Sequence, residues 1–266
     1  VTLTLKKAVA SDGAELAWTE EGQGEPLLLV AGQATGISGW DPVVPGLAPS
    51  FRVIRFDHRG IGASTEGRPE NYTTRAFAAD AVAVLDAAGV AKAHIYGHSM
   101  GGRVAQRMAV DFPVRVASLV LAATSAGEAG GVGRDPSATA ALISTDPARM
   151  APLFFSPAWA RENPAAVAAF FRVQASATVK SRHFRASRLH DAWDVLPSIQ
   201  APALIIHGNE DALSPVANAV MMAERIPDSR LIQVDGGRHG LHLDDARVQT
   251  WIEDFLALAV PAGAAH

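Results

Sequence analysis

Six short apolar runs, Pro26–Gly32, Val53–Asp57, His94–Gly97, Val116–Ala123, Ala203–Gly208 and Leu231–Asp235, constrain the fold of this chain more than any other feature. They are too short for ordinary helices, and near-continuous apolar character over so few residues is what a strand buried on both faces requires. Helical patterns lie between several of them. The stretch "TTRAFAADAVAVLDAAGV" carries apolar residues at helical spacing and stops at Gly89, "MGGRVAQRMAVDFP" ends before Pro113, and "NAVMMAERIP" ends before Pro227. Strands alternating with helices predict an α/β domain. At the start of the chain, "VTLTLKKAVASDGAELAW" alternates about Asp12-Gly13 in the manner of a β-hairpin, not of a signal peptide.

The alternation breaks between about Glu128 and Pro197. There "EAGGVGRDP" reads as an exit from the sheet, and helical patterns and prolines follow until "APALIIHG" resumes the strand pattern. The predicted organisation is therefore a core of residues 1–127 and 198–266 with a helical cap, 128–197, inserted over it. Half of the ten phenylalanines fall in that insertion, which predicts an apolar ceiling for a pocket. Phe154, Phe155, Trp159, Phe170 and Phe171, together with Trp40 from the core, are the expected substrate-binding residues. Arg172, Arg185 and Arg188 could hold a substrate carboxylate, although a solvated helix face is the plainer reading. His183 and His190 are expected at the surface.

Composition removes several functions. A chain without cysteine has no disulfide framework, no thiolate nucleophile and no Cys-ligated zinc. Net charge −4 with scattered Lys and Arg argues against nucleic acid, and no apolar run approaches the roughly 20 residues of a membrane helix. No histidine pair has metal-ligand spacing. A cytoplasmic protein is expected that acts on a small molecule with no cofactor, metal, nucleic acid or membrane; a homo-oligomer is compatible with the sequence.

The chemistry concentrates on Gly97-His98-Ser99-Met100-Gly101. Between a strand and a helix this pattern forms a sharp elbow that presents the serine hydroxyl above the sheet edge, and small residues two before and two after it avoid a clash with neighbouring backbone. A serine needs a base to take its proton and an acid to hold that base. Asp211 follows the strand "ALIIHG" and His239 follows "RLIQVDGG", giving the chain order Ser, Asp, His. Glu210, Asp235 and His242 are the nearest rivals for these roles. His98 adjoins the nucleophile and is expected to point away from it, and His58 and His207 are expected in hydrogen-bonded structural roles.

With these residues in place, the chain resembles the α/β-hydrolase superfamily, in particular its esterases, enol-lactonases and cofactor-free haloperoxidase-type hydrolases. The likeness runs through "VAGQATGISGW", "FDHRGIGAST", "GHSMGG", "GNEDALSP" and "GGRHGLHLDD" in that order. It implies an α/β-hydrolase fold in which Ser99, Asp211 and His239 are catalytic and the backbone N–H groups of Gln33 and Met100 form an oxyanion hole. Ala31-Gly32 departs from the usual His-Gly of the first loop and puts that loop's anchoring in question. The implied activity is hydrolysis of a carboxylic ester or lactone through an acyl-enzyme. Carbon–carbon bond hydrolysis of a ring-cleavage product, peracid formation, and ligand binding without turnover on the same scaffold are the alternatives.

Overall fold

The apolar runs assemble edge to edge in the computed structural model, which describes residues 4–144, 146–172 and 174–259. The strands are β1 (Lys6–Val9), β2 (Glu15–Glu21), β3 (Glu25–Val30), β4 (Phe51–Phe56), β5 (Ala93–His98), β6 (Val116–Ala122), β7 (Ala203–Gly208) and β8 (Ser229–Val234). They form one sheet in the order β1-β2-β4-β3-β5-β6-β7-β8. The first two pairings, β1 with β2 and β2 with β4, are antiparallel, and the others are parallel. All six apolar runs are strands, and the expected hairpin is β1–β2; Val1, Thr2 and Leu3 of that stretch lie outside the described residues.

The helices are α1 (Val44–Leu47), α2 (Thr74–Ala87), α3 (Met100–Asp111), α4 (Pro136–Ser144), α5 (Pro147–Phe154), α6 (Pro157–Glu162), α7 (Pro164–Phe170), α8 (Ala177–Arg188), α9 (Ala217–Ala223), α10 (Leu241–Asp244) and α11 (Ala246–Leu258). Side chains alternate faces along a strand. Leu28 and Val30 of β3 therefore join Phe77 of α2, Val104 and Met108 of α3 and Met222 of α9 in one core. Leu27 and Leu29 join Leu47 of α1 and Val248, Ile252 and Leu256 of α11 in the other. Burying each such leucine contributes about 1.5–3 kcal/mol. With helices on both faces, β5 has no exposed residue.

Helices α4 to α8 fall between β6 and β7, and Gly127 pairs with Asp191 across the neck of this insertion. Four of the five begin at proline, whose missing N–H costs nothing in a first helical turn. Below the site, the buried Arg59 binds Asp80 at 2.7 Å and Asp12 at 2.8 Å, while Asp57 accepts from the Ile37 and Ala63 amides. Among the described residues no helix is long and apolar enough to cross a membrane.

Candidate active site

Ser99 alone turns the chain from β5 into α3. Its φ of 56° and ψ of −118° lie where a residue with a side chain is strained. Neighbouring backbone makes the turn that tight: a Cβ on Gly97 would collide with the Gly101 carbonyl, and one on Gly101 with the Val30 carbonyl. The chain accepts the strain at Ser99 because both flanking positions are closed to anything larger than glycine.

The loops after β7 and β8 meet through a second glycine pair. A Cβ on Gly208 would strike the Gly237 carbonyl, so the two strand ends close to backbone contact and bring Asp211 beside His239. The Ser99 hydroxyl donates to His239 Nε2 at 2.8 Å, and His239 Nδ1–H donates to Asp211 Oδ2 at 2.8 Å. Asp211 Oδ1 accepts from the Leu213 and Ser214 amides at 2.8 and 2.9 Å, and His207 Nε2 approaches Oδ2 at 3.4 Å while donating to the Ser214 carbonyl. Burial works to raise the Asp211 carboxyl, but the His239 ring and the hydrogen bonds from His207 and His239 outweigh it and hold the group well below the usual carboxylate range.

The insertion clasps the same loop. The His239 and Gly240 amides donate to the Leu153 and Phe154 carbonyls at 3.2 and 2.7 Å, and the Phe154 ring stands edge-on to the His239 ring. From beneath, His98 Nε2–H donates to the His239 carbonyl at 2.8 Å, and His242 lies against the His98 ring at 3.9 Å between centroids. Burial, helped by the charge of His239, lowers His98 to about 3, and burial also carries His242 well below its ordinary value. His98 and His242 are thus neutral supports, and the ring that meets Ser99 is His239. Glu210 pairs with Arg238, and Asp235 with Asn209, so neither rival acid reaches the histidine.

Met100 opens α3, where the helix supplies no partner for its N–H; its side chain is buried in the core. Gln33 lines the cavity above Ser99, next to Gly32, whose Cβ position would be 3.4 Å from Ser99 Cβ. His58 supplies the anchoring that Ala31 lacks: its Nε2–H donates to the Ala31 carbonyl at 3.1 Å.

The cavity over Ser99 and His239 has a volume of about 140 Å³ and is lined on its apolar side by Leu142, Met150, Phe154, Phe170, Phe171 and Leu213. Three of the expected aromatics do not line it. Trp40 is buried in the core under α11, against Tyr96 and His242. Phe155 is fully buried against Gly240 and Trp159, and Trp159 spends its ring on Phe155 at 4.8 Å. His183 and His190, expected at the surface, are buried too, with His183 bonded to the Arg59 carbonyl and His190 to Thr74 and Gln106. Nor do Arg172, Arg185 and Arg188 reach the cavity; its cations are Arg103, Arg134 and Lys180. The sequence did carry a sign of Arg103, which stands four residues after Ser99 and so on the same face of α3. Among the described residues no group of three or more His, Asp or Glu could hold a metal.

Residues 25–192 match the model of the alpha/beta hydrolase fold family. The chain belongs to that family. A protein of Azorhizobium caulinodans that carries the name carbamate hydrolase RutD is 35% identical over 85% of this chain and 88% of its own length. Among solved structures, a thermophilic esterase from Thermogutta terrifontis is 26% identical over 96% of this chain and 99% of its own, with a TM-score of 0.81. The esterase RhEst1 from Rhodococcus is 27% identical over 97% and 100%, again with a TM-score of 0.81. The hydrolase family expected from the motifs is therefore the family found.

Proposed function

We propose that this α/β hydrolase cleaves a small carboxylic ester or lactone through an acyl-enzyme formed on Ser99. The observation that carries the reading is the unbroken relay from the Ser99 hydroxyl through His239 to Asp211, with both hydrogen bonds at 2.8 Å. Ser99 Oγ attacks the carbonyl carbon while His239 Nε2 takes its proton, and the same nitrogen returns the proton to the leaving alkoxide. Asp211 holds His239 in the tautomer whose Nε2 is free to accept. The Gln33 and Met100 amides stabilise the oxyanion. Water, deprotonated by His239, then attacks the acyl carbon and releases the acid and Ser99. In this reading residues 128–197 form the cap that roofs the cavity, and Phe154, Phe170 and Phe171 meet the substrate. An engineered apolar cavity of roughly 150 Å³ holds benzene, so a substrate part of about that size fits here.

Carbamate hydrolysis is the second reading, favoured by the relative from Azorhizobium caulinodans. It uses the same attack on a carbonyl and differs in the leaving group. The test is a panel of short esters, lactones and carbamates assayed with the wild type and Ser99→Ala, with fluorophosphonate labelling of both proteins. Labelling confined to the wild type and loss of nearly all turnover in Ser99→Ala are expected. A Ser99→Ala protein that kept a tenth of wild-type turnover would overturn the mechanism.

A further inference from the structure

The Ser99 cavity carries an excess of positive charge that the acyl-transfer machinery does not use. Arg103, one helical turn beyond Ser99, is only 6% exposed and lines the cavity. Its guanidinium donates to neutral oxygens: the Ser187 carbonyl, the Ser187 hydroxyl at 3.2 Å and the Ser125 hydroxyl at 2.9 Å. Among the described residues no carboxylate pairs with it. Arg134, from the segment between β6 and α4, lines the same cavity and meets Glu128 at a long 3.5 Å, and Lys180 of α8 adds a third cation. Burial and the charge of Arg134 lower Arg103 to about 10, against the opposing charge of Glu128, which pairs with Arg134 and not with Arg103, so Arg103 stays a cation at neutral pH. A buried guanidinium without a counterion is costly, and a protein retains one where a ligand supplies the missing charge.

We propose that the substrate of this cavity bears a carboxylate, held by Arg103 and Arg134, while its ester or lactone carbonyl lies at Ser99. The claim deepens the hydrolase reading and rests on it. The planar donor fork of arginine matches a carboxylate. Phe154, Phe170 and Phe171 then pack the short apolar spacer between the two ends of the substrate, and the small cavity volume points to half-esters of short dicarboxylic acids or lactones with a carboxylate side chain.

The test pairs monomethyl succinate with methyl succinamate, which replaces the carboxylate by a neutral amide of nearly the same shape. The wild type should favour the half-ester by about 10- to 100-fold in kcat/KM, chiefly through KM, the scale of hydrogen bonds to a charged group. That ratio should fall to near one in Arg134→Gln and in Arg103→Met. Because Arg103 also ties α3 to Ser187, Arg134→Gln guards against a folding defect. Glutarate binding to Ser99→Ala, measured by calorimetry, separates the subsite from the chemistry: it should occur, and it should be lost when Arg134→Gln is added. If neither ester is cleaved but glutarate binds and Arg134→Gln abolishes the binding, the hydrolase reading fails and the anion site stands. If both esters are cleaved at equal rates and glutarate does not bind, the anion site is overturned and the hydrolase reading stands.

Discussion

Three buried histidines should make this protein acid-labile well above the pH at which carboxylates titrate. His58, His98 and His183 each spend Nε2–H on a backbone carbonyl, those of Ala31, His239 and Arg59. For His58 and His183 the other ring nitrogen is buried with no partner among the described residues, so protonation would create a donor with nowhere to donate. Burial, the leading cause in each case, lowers His58 and His98 to about 3 and His183 to about 4, against an ordinary 6.5. A depressed histidine is neutral in the native state while the unfolded chain takes up the proton. Stability is therefore intact above pH 6.5 and is lost as pH falls toward the native values. Each ring costs about 1.4 kcal/mol per pH unit in that window, hence about 4 kcal/mol per unit for the three and about 2 kcal/mol per ring between pH 7 and 5. That sum rivals the whole stability of an ordinary domain, roughly 5–15 kcal/mol. Asp57, Asp80 and Asp244, pushed up by burial, offset part of the loss at the acid end. Urea unfolding followed by circular dichroism from pH 7.5 to 5 measures the slope, to which the buried His190 and His242, also depressed, add, and His183→Gln, which keeps a donor near the Arg59 carbonyl, should reduce it by about 1.4 kcal/mol per unit, the share of one ring. A slope below about 1.4 kcal/mol per unit in the wild type, or an unchanged slope in His183→Gln, would refute the argument.

Replacing Asp211 by Asn should leave substrate binding intact and cut turnover roughly 10⁴-fold, because the amide favours the wrong histidine tautomer; a loss under tenfold in steady-state kcat would mean another group orients His239. Gly101→Ala drives a Cβ into the Val30 carbonyl and should destabilise by about 1–3 kcal/mol or more, whereas Gly133→Ala, with open space around it, should change stability by under about 0.5 kcal/mol; thermal melts of the two variants check the contrast.

How much of this was legible in the sequence depends on what kind of contact each residue makes. Strands β3 to β7 announced themselves because both faces of each are almost wholly buried, which forces apolar runs whatever the partner, whereas the edge strand β8 is only partly buried and showed itself through Leu231, Ile232 and Val234. The Ser99 elbow was legible for a similar reason: backbone collisions at Gly97 and Gly101 leave only glycine possible there, so the constraint is written in the residues themselves. The helical insertion was different. Its aromatics could be counted, but which ring faces the cavity depends on how α5, α6 and α7 settle against one another, and Phe155 and Trp159 turned toward each other while Phe154, Phe170 and Phe171 turned inward.

The same distinction separates the histidines and arginines. A histidine reads as polar and exposed when only its own helix is considered, as His183 did, yet one well-placed carbonyl satisfies its single N–H and lets it take the place of an aromatic core residue, here beside Phe77 and Tyr72. An arginine cannot do this, since five donors and a fixed charge need several oxygens and a counterion. Arg59 finds its carboxylates in Asp12 and Asp80. Arg103 finds hydroxyls and a carbonyl but no carboxylate among the described residues. Two buried arginines of the same chain thus differ in one respect, the source of the balancing charge: for Arg59 the fold supplies it, and for Arg103 it has to arrive with the substrate.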